Sequence, residues 1–396
     1  MTRRSVGKIS GTRMAFVAFG ATIALALTAC AAGTSEPGAD DDSTIKITVL
    51  ADITGPAAFY GEAIKDSAEF TVEKINADGG LSGRTIDLVV RDTASAASTA
   101  ASLMNDAILD DTDAVIFGVL TEEALTIAPL AQEAGLPVIN VQVGGDGVVE
   151  TGDAIWRITP PQPNFVPTYA KYIADVVGAK TAAVFYDSDN AATVKVAAEA
   201  LPAAFDDVGI ELLNSVSSTS TETDLTTAVT KLLEGDPDFI HVHAIGSQNI
   251  AVITQLRRAG FEGTIGGGTA IGAGALSALD DDQANGIIYY SSFVGSEDLP
   301  HESGRAFTKA FEEATGEQPN TFHAETFDAF GFIGAAIEAS GDSSRKGVLA
   351  GLAEVAKAGG FAGAQADPIT FDNRSAVTPG FVIEWRDGHE TLAPGQ

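Results

Sequence analysis

From residue 45 onward, short apolar segments alternate with stretches of helical periodicity, and this alternation restricts the possible folds most. Residues 45–51 are rich in β-branched side chains and lie between turn residues, which is typical of a buried strand. Residues 62–76 repeat apolar side chains at helical spacing and end at Asp78-Gly79-Gly80, where glycine suits a helix C-terminus. Such alternation predicts a parallel sheet with helices on both faces.

The same pattern stops at the Pro-rich residues 160–163 and then starts again. Further strands are predicted at residues 86–90, 114–117, 137–141, 181–186, 210–216, 239–244, 263–267 and 287–290. We therefore expect an α/β protein with two doubly wound parallel-sheet lobes joined by a multi-segment hinge near residues 160–165 and 291–292. The expected lobes are residues 45–164 with 292–372, and residues 165–291 with 373–396. Ligands of such sheets lie beyond the carboxyl ends of the strands.

The N-terminus has the layout of an export signal. Four basic residues precede an uncharged apolar segment, residues 14–27, which is too short for a stable membrane span. It ends in Leu27-Thr28-Ala29-Cys30, so we expect a signal peptide at residues 1–29 and lipidation of Cys30, the only cysteine. Residues 30–44 are predicted to be a flexible tether. The protein would then lie at the outer face of the cytoplasmic membrane, held by its lipid anchor only.

Composition and motifs argue against several function classes. The net charge of −31 would repel nucleic acid and anionic lipid. No nucleophile elbow or phosphate loop occurs, and the glycines at 266–274 lack dinucleotide-binding spacing, so no catalytic residue, cofactor or enzyme activity is expected. His241 and His243 alternate on one predicted strand and could ligate a metal, but no third ligand accompanies them in sequence. We interpret them as structural and predict no metal site.

One ordered set of motifs resembles a known family. Residues 54–61 read TGPAAFYG, residues 75–84 read INADGGLSGR, and Arg91-Asp92 follow. This set resembles the type I periplasmic binding proteins, specifically the branched-chain amino acid binding group. The resemblance implies a Venus-flytrap protein whose two lobes close over a small amino acid, amide or organic acid. It also implies a monomer that presents this ligand to the permease subunits of an ABC importer.

The resemblance also implies ligand-binding residues in the first lobe. Tyr60 matches an aromatic wall over the ligand, although it could instead pack beneath its loop. Thr121 precedes a predicted helix whose free amides favour an anion, and it could be a ligand-binding residue, an N-cap or both. After the fourth strand, Gln142 begins the matching loop, and Gly144 takes the position of the family's threonine and offers only its amide.

The second lobe departs from the family. The acid that pairs with the ligand's amino group aligns with Thr269, and a tyrosine of the pocket is replaced by Ala191. A buried ammonium without a carboxylate is costly. Two explanations are open: Glu122 or Glu123 replaces that acid, or the ligand is not an α-amino acid. Both glutamates could instead only complement the dipole of the helix in whose first turn they lie. The expected ligand-binding residues are Tyr60, Thr121, Glu122, Gln142, Gly144, Asn190 and Thr269.

Two alternatives to transport stay open at this point. The same fold could report a ligand to a membrane receptor as a sensing lipoprotein. A lipid-anchored α/β hydrolase is the other alternative, but it would need a nucleophile and a base, and the sequence offers no such pair. Neighbouring genes for permeases and ATPases would favour the transport function.

Overall fold

The computed structural model describes residues 44–272 and 276–395, which belong to one compact unit. The predicted signal peptide, Cys30 and most of the predicted tether lie outside the described residues. Within them are two seven-stranded sheets, each flanked by helices. No described helix has the length and apolar character needed to cross a membrane.

The first sheet is parallel except at one edge. In spatial order its strands are Thr370–Asp372, Ser375–Val377, Ile155–Arg157, Val138–Asn140, Ala114–Gly118, Thr44–Ala51 and Thr85–Asp92. Strand Thr44–Ala51, which lies next to the edge strand Thr85–Asp92, is buried on both faces, with Ile47 and Val49 in one apolar cluster and Leu50 in another. Burial on both faces is why this strand reads as a continuous apolar segment.

The second sheet repeats this plan. Its strands are His389–Leu392, Phe381–Arg386, Ile288–Ser291, Thr264–Gly267, Phe239–His243, Thr181–Asp187 and Glu211–Ser218. All the strands predicted from the sequence are present to within one or two residues at their ends, and the expectation of two doubly wound α/β lobes is confirmed. The sheets are mixed rather than purely parallel, because each ends in an antiparallel hairpin that the sequence analysis did not anticipate.

The helices connect the strands and cover both faces. They are Ala58–Ala77, Ala97–Leu109, Thr121–Ala134, Val166–Tyr172, Ala191–Val194, Leu201–Asp207, Thr226–Leu232, Ser247–Arg258, Asp281–Ala284, Glu302–Thr315, Thr321–Ser340 and Arg345–Ala358. The π-helical segments Ile173–Val177 and Lys195–Ala200 continue two of them. Helix Thr321–Ser340 packs against Ala58–Ala77 and Arg345–Ala358 in the first lobe.

Within residues 44–272 and 276–395, three segments cross between the sheets. The first two follow strands Ile155–Arg157 and Ile288–Ser291, close to the positions expected from the sequence. The third lies between Val377 and Phe381, because Ser375 still pairs with Arg157 of the first sheet. The first lobe therefore extends past residue 372, where the sequence analysis ended it. The other lobe boundaries stay a prediction.

Candidate ligand-binding cavity

A cavity of about 180 Å³ lies between the two lobes, beyond the carboxyl ends of the parallel strands of both sheets. All the expected site residues except Glu122 line it. These are Tyr60, Thr121, Gln142, Gly144, Asn190 and Thr269. Whether they contact a ligand stays a prediction. Glu122 is exposed and does not belong to the lining, so its assignment to the site is not supported.

The start of helix Thr121–Ala134 forms one end of the cavity. The N-cap of this helix is Leu120, which provides no side-chain hydrogen bond, so the alternative of Thr121 as the N-cap is wrong. The Thr121 hydroxyl instead accepts a hydrogen bond from the Gly145 amide at 3.1 Å. A Cβ on Gly145 would overlap the Thr121 side chain, so only glycine permits this approach. The first amides of the helix lack intrahelical acceptors, and such amides favour an anion.

Gln142 is held in a left-handed conformation, with φ of 57°. Its backbone N–H donates to Thr159 Oγ1 at 2.5 Å and to Glu325 Oε2 at 3.0 Å. Its side-chain Nε2 is buried and has no hydrogen-bond partner among the described residues. Buried donors are nearly always satisfied, so this unpaired amide, in a residue that lines the cavity, is a candidate donor for a bound molecule.

Glu325 connects this loop to the hinge. Its Oε2 also accepts a hydrogen bond from Thr159 Oγ1 at 2.5 Å, and Ser292 Oγ lies 3.4 Å from Oε1. Thr159 precedes the first crossing, and Ser292 begins the second. Burial raises the pKa of the Glu325 carboxyl to about 7, against the opposing effect of its hydrogen bonds from Thr159 and Gln142. The sequence analysis assigned no role to Glu325. The signal that could have found it is an acidic residue among the buried positions of helix Thr321–Ser340.

Aromatic side chains close the side of the cavity next to helix Ala58–Ala77. The rings of Tyr60 and Phe322 meet edge to face, with centroids 5.0 Å apart. Burial raises the pKa of the Tyr60 phenol, and the Gly246 backbone of the other lobe opposes this rise. Tyr60 is therefore both a wall of the cavity and a packed aromatic residue, so its two expected roles are compatible.

The second lobe and the first crossing contribute two side-chain amides whose oxygens are already engaged. Asn190 Oδ1 accepts hydrogen bonds from the Ala192 and Thr193 amides, because Asn190 is the N-cap of helix Ala191–Val194. In the first crossing, Gln162 Oε1 accepts a hydrogen bond from Tyr290 at 3.2 Å. In both residues the NH₂ group remains as a donor. The Thr269 hydroxyl donates to the Tyr290 carbonyl at 3.4 Å, which leaves its oxygen as an acceptor.

No charged side chain lines the cavity among the described residues. Glu123 is buried but lies elsewhere, beside Asp52. Burial and the negative charge of Asp52 raise the pKa of Glu123 to about 8. Neither Glu122 nor Glu123 therefore stands where it could pair with an ammonium group in this cavity, contrary to one of the sequence-based hypotheses.

His243 also lines the cavity and was missed as a site residue. Its Nδ1 lies 3.1 Å from Nε2 of His241, which is fully buried. Burial lowers the pKa of His243 to about 4, so the ring is neutral at physiological pH. Within the described part of the chain, no group of three or more metal-ligating side chains occurs.

The lobes approach each other closely around the cavity. Lys195 Nζ of the second lobe lies 2.6 Å from Asp146 Oδ2 of the first, and both side chains are substantially exposed. A Cβ placed on Gly144 would lie 4.0 Å from the Ala192 Cβ of the other lobe. These contacts describe a closed arrangement around an enclosed space.

Two α/β lobes that are joined by three crossings and closed over a small cavity define a two-lobed solute-binding protein. The sequence model of the Periplasmic binding protein family matches residues 44–390, and the chain belongs to this family.

Its relatives include a Leu/Ile/Val-binding protein homolog from Brucella melitensis, 27% identical over 274 residues that cover 69% of this chain and 71% of the relative. The Leucine-, isoleucine-, valine-, threonine-, and alanine-binding protein of Pseudomonas aeruginosa is 22% identical over 78% of this chain and 82% of its own length.

Solved structures show the same fold. The branched-chain amino acid transporter substrate-binding protein LivJ from Streptococcus pneumoniae, in complex with isoleucine, has a TM-score of 0.77 and 24% identity, covering 88% of this chain and 97% of its own. An ABC transporter solute-binding protein from R. palustris, in complex with benzoate, has a TM-score of 0.75 and 22% identity, covering 88% of this chain and 95% of its own.

Proposed function

We propose that this chain is the extracytoplasmic solute-binding component of an ABC importer, and that it presents a small captured solute to the permease subunits. The observation that carries this proposal is the enclosed, uncharged cavity between the two lobes, at the strand ends where such sheets bind ligands. Because contacts to both lobes stabilise the closed state, the closed form reports capture to a permease. Membership of the periplasmic binding protein family supports the same function.

The cavity suggests the size and class of the solute. An apolar cavity of about 150 Å³ holds benzene, so a cavity of about 180 Å³ suits a compact solute of similar bulk. Its free donors, led by Gln142 Nε2 and the start of helix Thr121–Ala134, suit a carboxylate or amide oxygen. An ammonium group would be buried without a carboxylate partner. We infer that the solute is a carboxylic acid or amide with an apolar body.

The relatives are compatible with more than one solute class. One similar structure holds isoleucine and another holds benzoate, an acid without an amine. The uncharged lining of this cavity favours an acid without an amine. Thr269 supports this choice, because it aligns with the acid that would pair with an amino group.

We further propose that the protein is exported, lipidated at Cys30 and held as a monomer at the outer face of the cytoplasmic membrane. The apolar segment before Cys30 supports this proposal. Mass spectrometry of the mature N-terminus should find a diacylglyceryl group on Cys30. A Cys30→Ser variant should not be anchored, and an unmodified Cys30 in the membrane fraction would contradict the proposal.

Thermal unfolding of residues 31–396, stripped of co-purified ligand, tests the solute class. The panel is L-leucine, 4-methylpentanoate (the same skeleton without the amine), 3-methylbutylamine (the same skeleton without the carboxylate) and benzoate. A ligand at a hundred times its dissociation constant stabilises the fold by about 2.7 kcal/mol, a shift of a few degrees. We expect shifts with the two amine-free acids, 4-methylpentanoate and benzoate, and no shift with 3-methylbutylamine. A shift with the amine, or with none of the panel, would contradict the proposal.

A further inference from the structure

A chain of polar groups reaches the ligand cavity from the interior of the second lobe. We define the histidine relay as Tyr169, His241 and His243. Tyr169 and His241 are fully buried, and His243 is only 5% exposed. His243 Nδ1 lies 3.1 Å from His241 Nε2, and His241 Nδ1 lies 3.4 Å from the Tyr169 hydroxyl. The relay ends at the Ile288 carbonyl, 3.4 Å from the same hydroxyl.

The fold makes room for this relay with two glycines, one on the neighbouring strand Thr264–Gly267 and one just after it. His241 stands opposite Gly266 in the sheet, and a Cβ on Gly266 would overlap the Tyr169 hydroxyl. A Cβ on Gly268 would lie 2.5 Å from Cε1 of His243. Any larger residue at either position would displace a member of the relay. The two glycines are therefore explained by the relay rather than by turn geometry.

His243 joins the relay to the cavity. Its Nδ1 is engaged with His241, and its other ring nitrogen, Nε2, has no hydrogen-bond partner among the described residues. His243 and Thr269 both line the cavity. A neutral imidazole cannot pair with an ammonium group as a carboxylate does, but it can form a hydrogen bond with a neutral polar substituent of a solute.

The relay allows either sense of hydrogen bonding at Nε2. If Tyr169 donates to the Ile288 carbonyl, His241 Nδ1 donates to Tyr169 and His243 Nδ1 donates to His241, which leaves His243 Nε2 as an acceptor. If Tyr169 instead donates to His241 Nδ1, His241 Nε2 donates to His243 and Nε2 of His243 becomes a donor. Both arrangements need neutral rings, and burial lowers the pKa of both histidines.

We propose that His243 is a specificity-determining ligand contact, and that the solute is a carboxylic acid with a neutral hydrogen-bonding substituent, such as a hydroxyl, beside its carboxylate. His243 Nε2 bonds this substituent while the carboxylate lies at the start of helix Thr121–Ala134. His241 and Tyr169 are positioning residues that set the sense of this bond. This inference rests on the proposed function and narrows its solute class.

A cycle of two ligands and two proteins tests the inference. Calorimetry compares 4-methylpentanoate with 2-hydroxy-4-methylpentanoate, which differ by one hydroxyl, on the wild type and on His243→Leu. In the wild type the hydroxyl should tighten binding about tenfold, the equivalent of ~1.4 kcal/mol. In His243→Leu this gain should fall below about twofold. His243→Gln, which keeps a polar group, should retain part of it, and the exposed His389→Gln should retain all of it.

Nitrogen-15 NMR of the wild type gives a second readout that needs no variant to fold. The Nε2 resonance of His243 should shift with 2-hydroxy-4-methylpentanoate and much less with 4-methylpentanoate, whereas His389 should not respond. If the wild type binds both acids but the hydroxyl gain persists in His243→Leu, or the His243 resonance is unmoved, the inference is overturned and the proposed function stands. If the wild type binds neither acid nor benzoate, both fail.

Discussion

Replacing Glu325 with glutamine should stabilise the fold at alkaline pH, although it removes a buried residue with three hydrogen-bond neighbours. The pKa of this carboxyl is raised from 4.5 to about 7, chiefly by burial. A raised carboxyl pKa contributes stability that is fully present below pH 4.5 and is lost as the pH rises through 7. Between pH 5 and pH 8 this linkage amounts to about 2–3 kcal/mol of unfolding free energy.

Glutamine can reproduce the hydrogen bonds of protonated Glu325. Thr159 and the Gln142 amide both donate to one oxygen, Oε2, and the other oxygen faces Ser292. The amide oxygen can take the first position and the NH₂ group the second. Urea unfolding at pH 5 and pH 8 should show that the loss of stability with rising pH is about 2–3 kcal/mol smaller in Glu325→Gln than in the wild type.

Asp328→Asn is the matched control. The pKa of Asp328 is also raised by burial to about 7, but its two oxygens both accept from N–H groups, those of Ala364 and Gln365. An NH₂ group would face one of these donors, so Asp328→Asn should lose about 1–3 kcal/mol even at pH 5. An unchanged pH dependence in Glu325→Gln, or equal destabilisation by both variants, would refute the reasoning.

Three further predictions concern the cavity. Gly145→Ala should weaken 4-methylpentanoate binding about tenfold in calorimetry, because its Cβ would overlap Thr121; an unchanged affinity would mean that the loop is not held as described. Tyr60→Phe should stay within about threefold of wild-type affinity, whereas Tyr60→Ala, which removes the packing on Phe322, should lose much more; equal losses would assign the effect to the hydroxyl. Lys195→Ala should change affinity by less than about fivefold, and the change should vanish at high salt, because exposed ion pairs contribute about 0–1 kcal/mol; a large, salt-independent loss would contradict this account.

The location of the cavity could be predicted from the sequence because it depends on backbone topology. Parallel strands end at one edge of each sheet, and the residues that follow those strands, such as Thr121 and Gln142, meet there. One antiparallel hairpin was also signalled, since Asp387-Gly388 is a dipeptide that favours a two-residue hairpin turn, and both residues have the positive φ that such a turn requires. The alternation of strands and helices was the stronger pattern and hid that signal.

The chemistry of the cavity could not be predicted to the same extent, because it depends on where side chains point. Glu122 and Glu123 both lie in the first turn of a helix, but one is exposed and the other buried away from the cavity. His243 looked structural because its exposure to the cavity depends on residues of other strands and of the other lobe, far away in sequence. Gly266 and Gly268, which make room for those rings, stood out in the sequence only because they lack dinucleotide-binding spacing.

The central claim is that an uncharged, donor-rich cavity selects carboxylates, and Gln142→Glu tests it most directly. This isosteric change replaces the unpaired donor Nε2 with a carboxylate oxygen on a residue that lines the cavity. Calorimetry of stripped protein should give one 4-methylpentanoate bound per wild-type chain and a loss of about 100-fold or more in affinity for Gln142→Glu, since hydrogen bonds to charged groups contribute about 1.5–3 kcal/mol. Binding of 3-methylbutylamine should improve in the same variant. Unchanged 4-methylpentanoate binding in Gln142→Glu, or no binding to the wild type, would contradict the account.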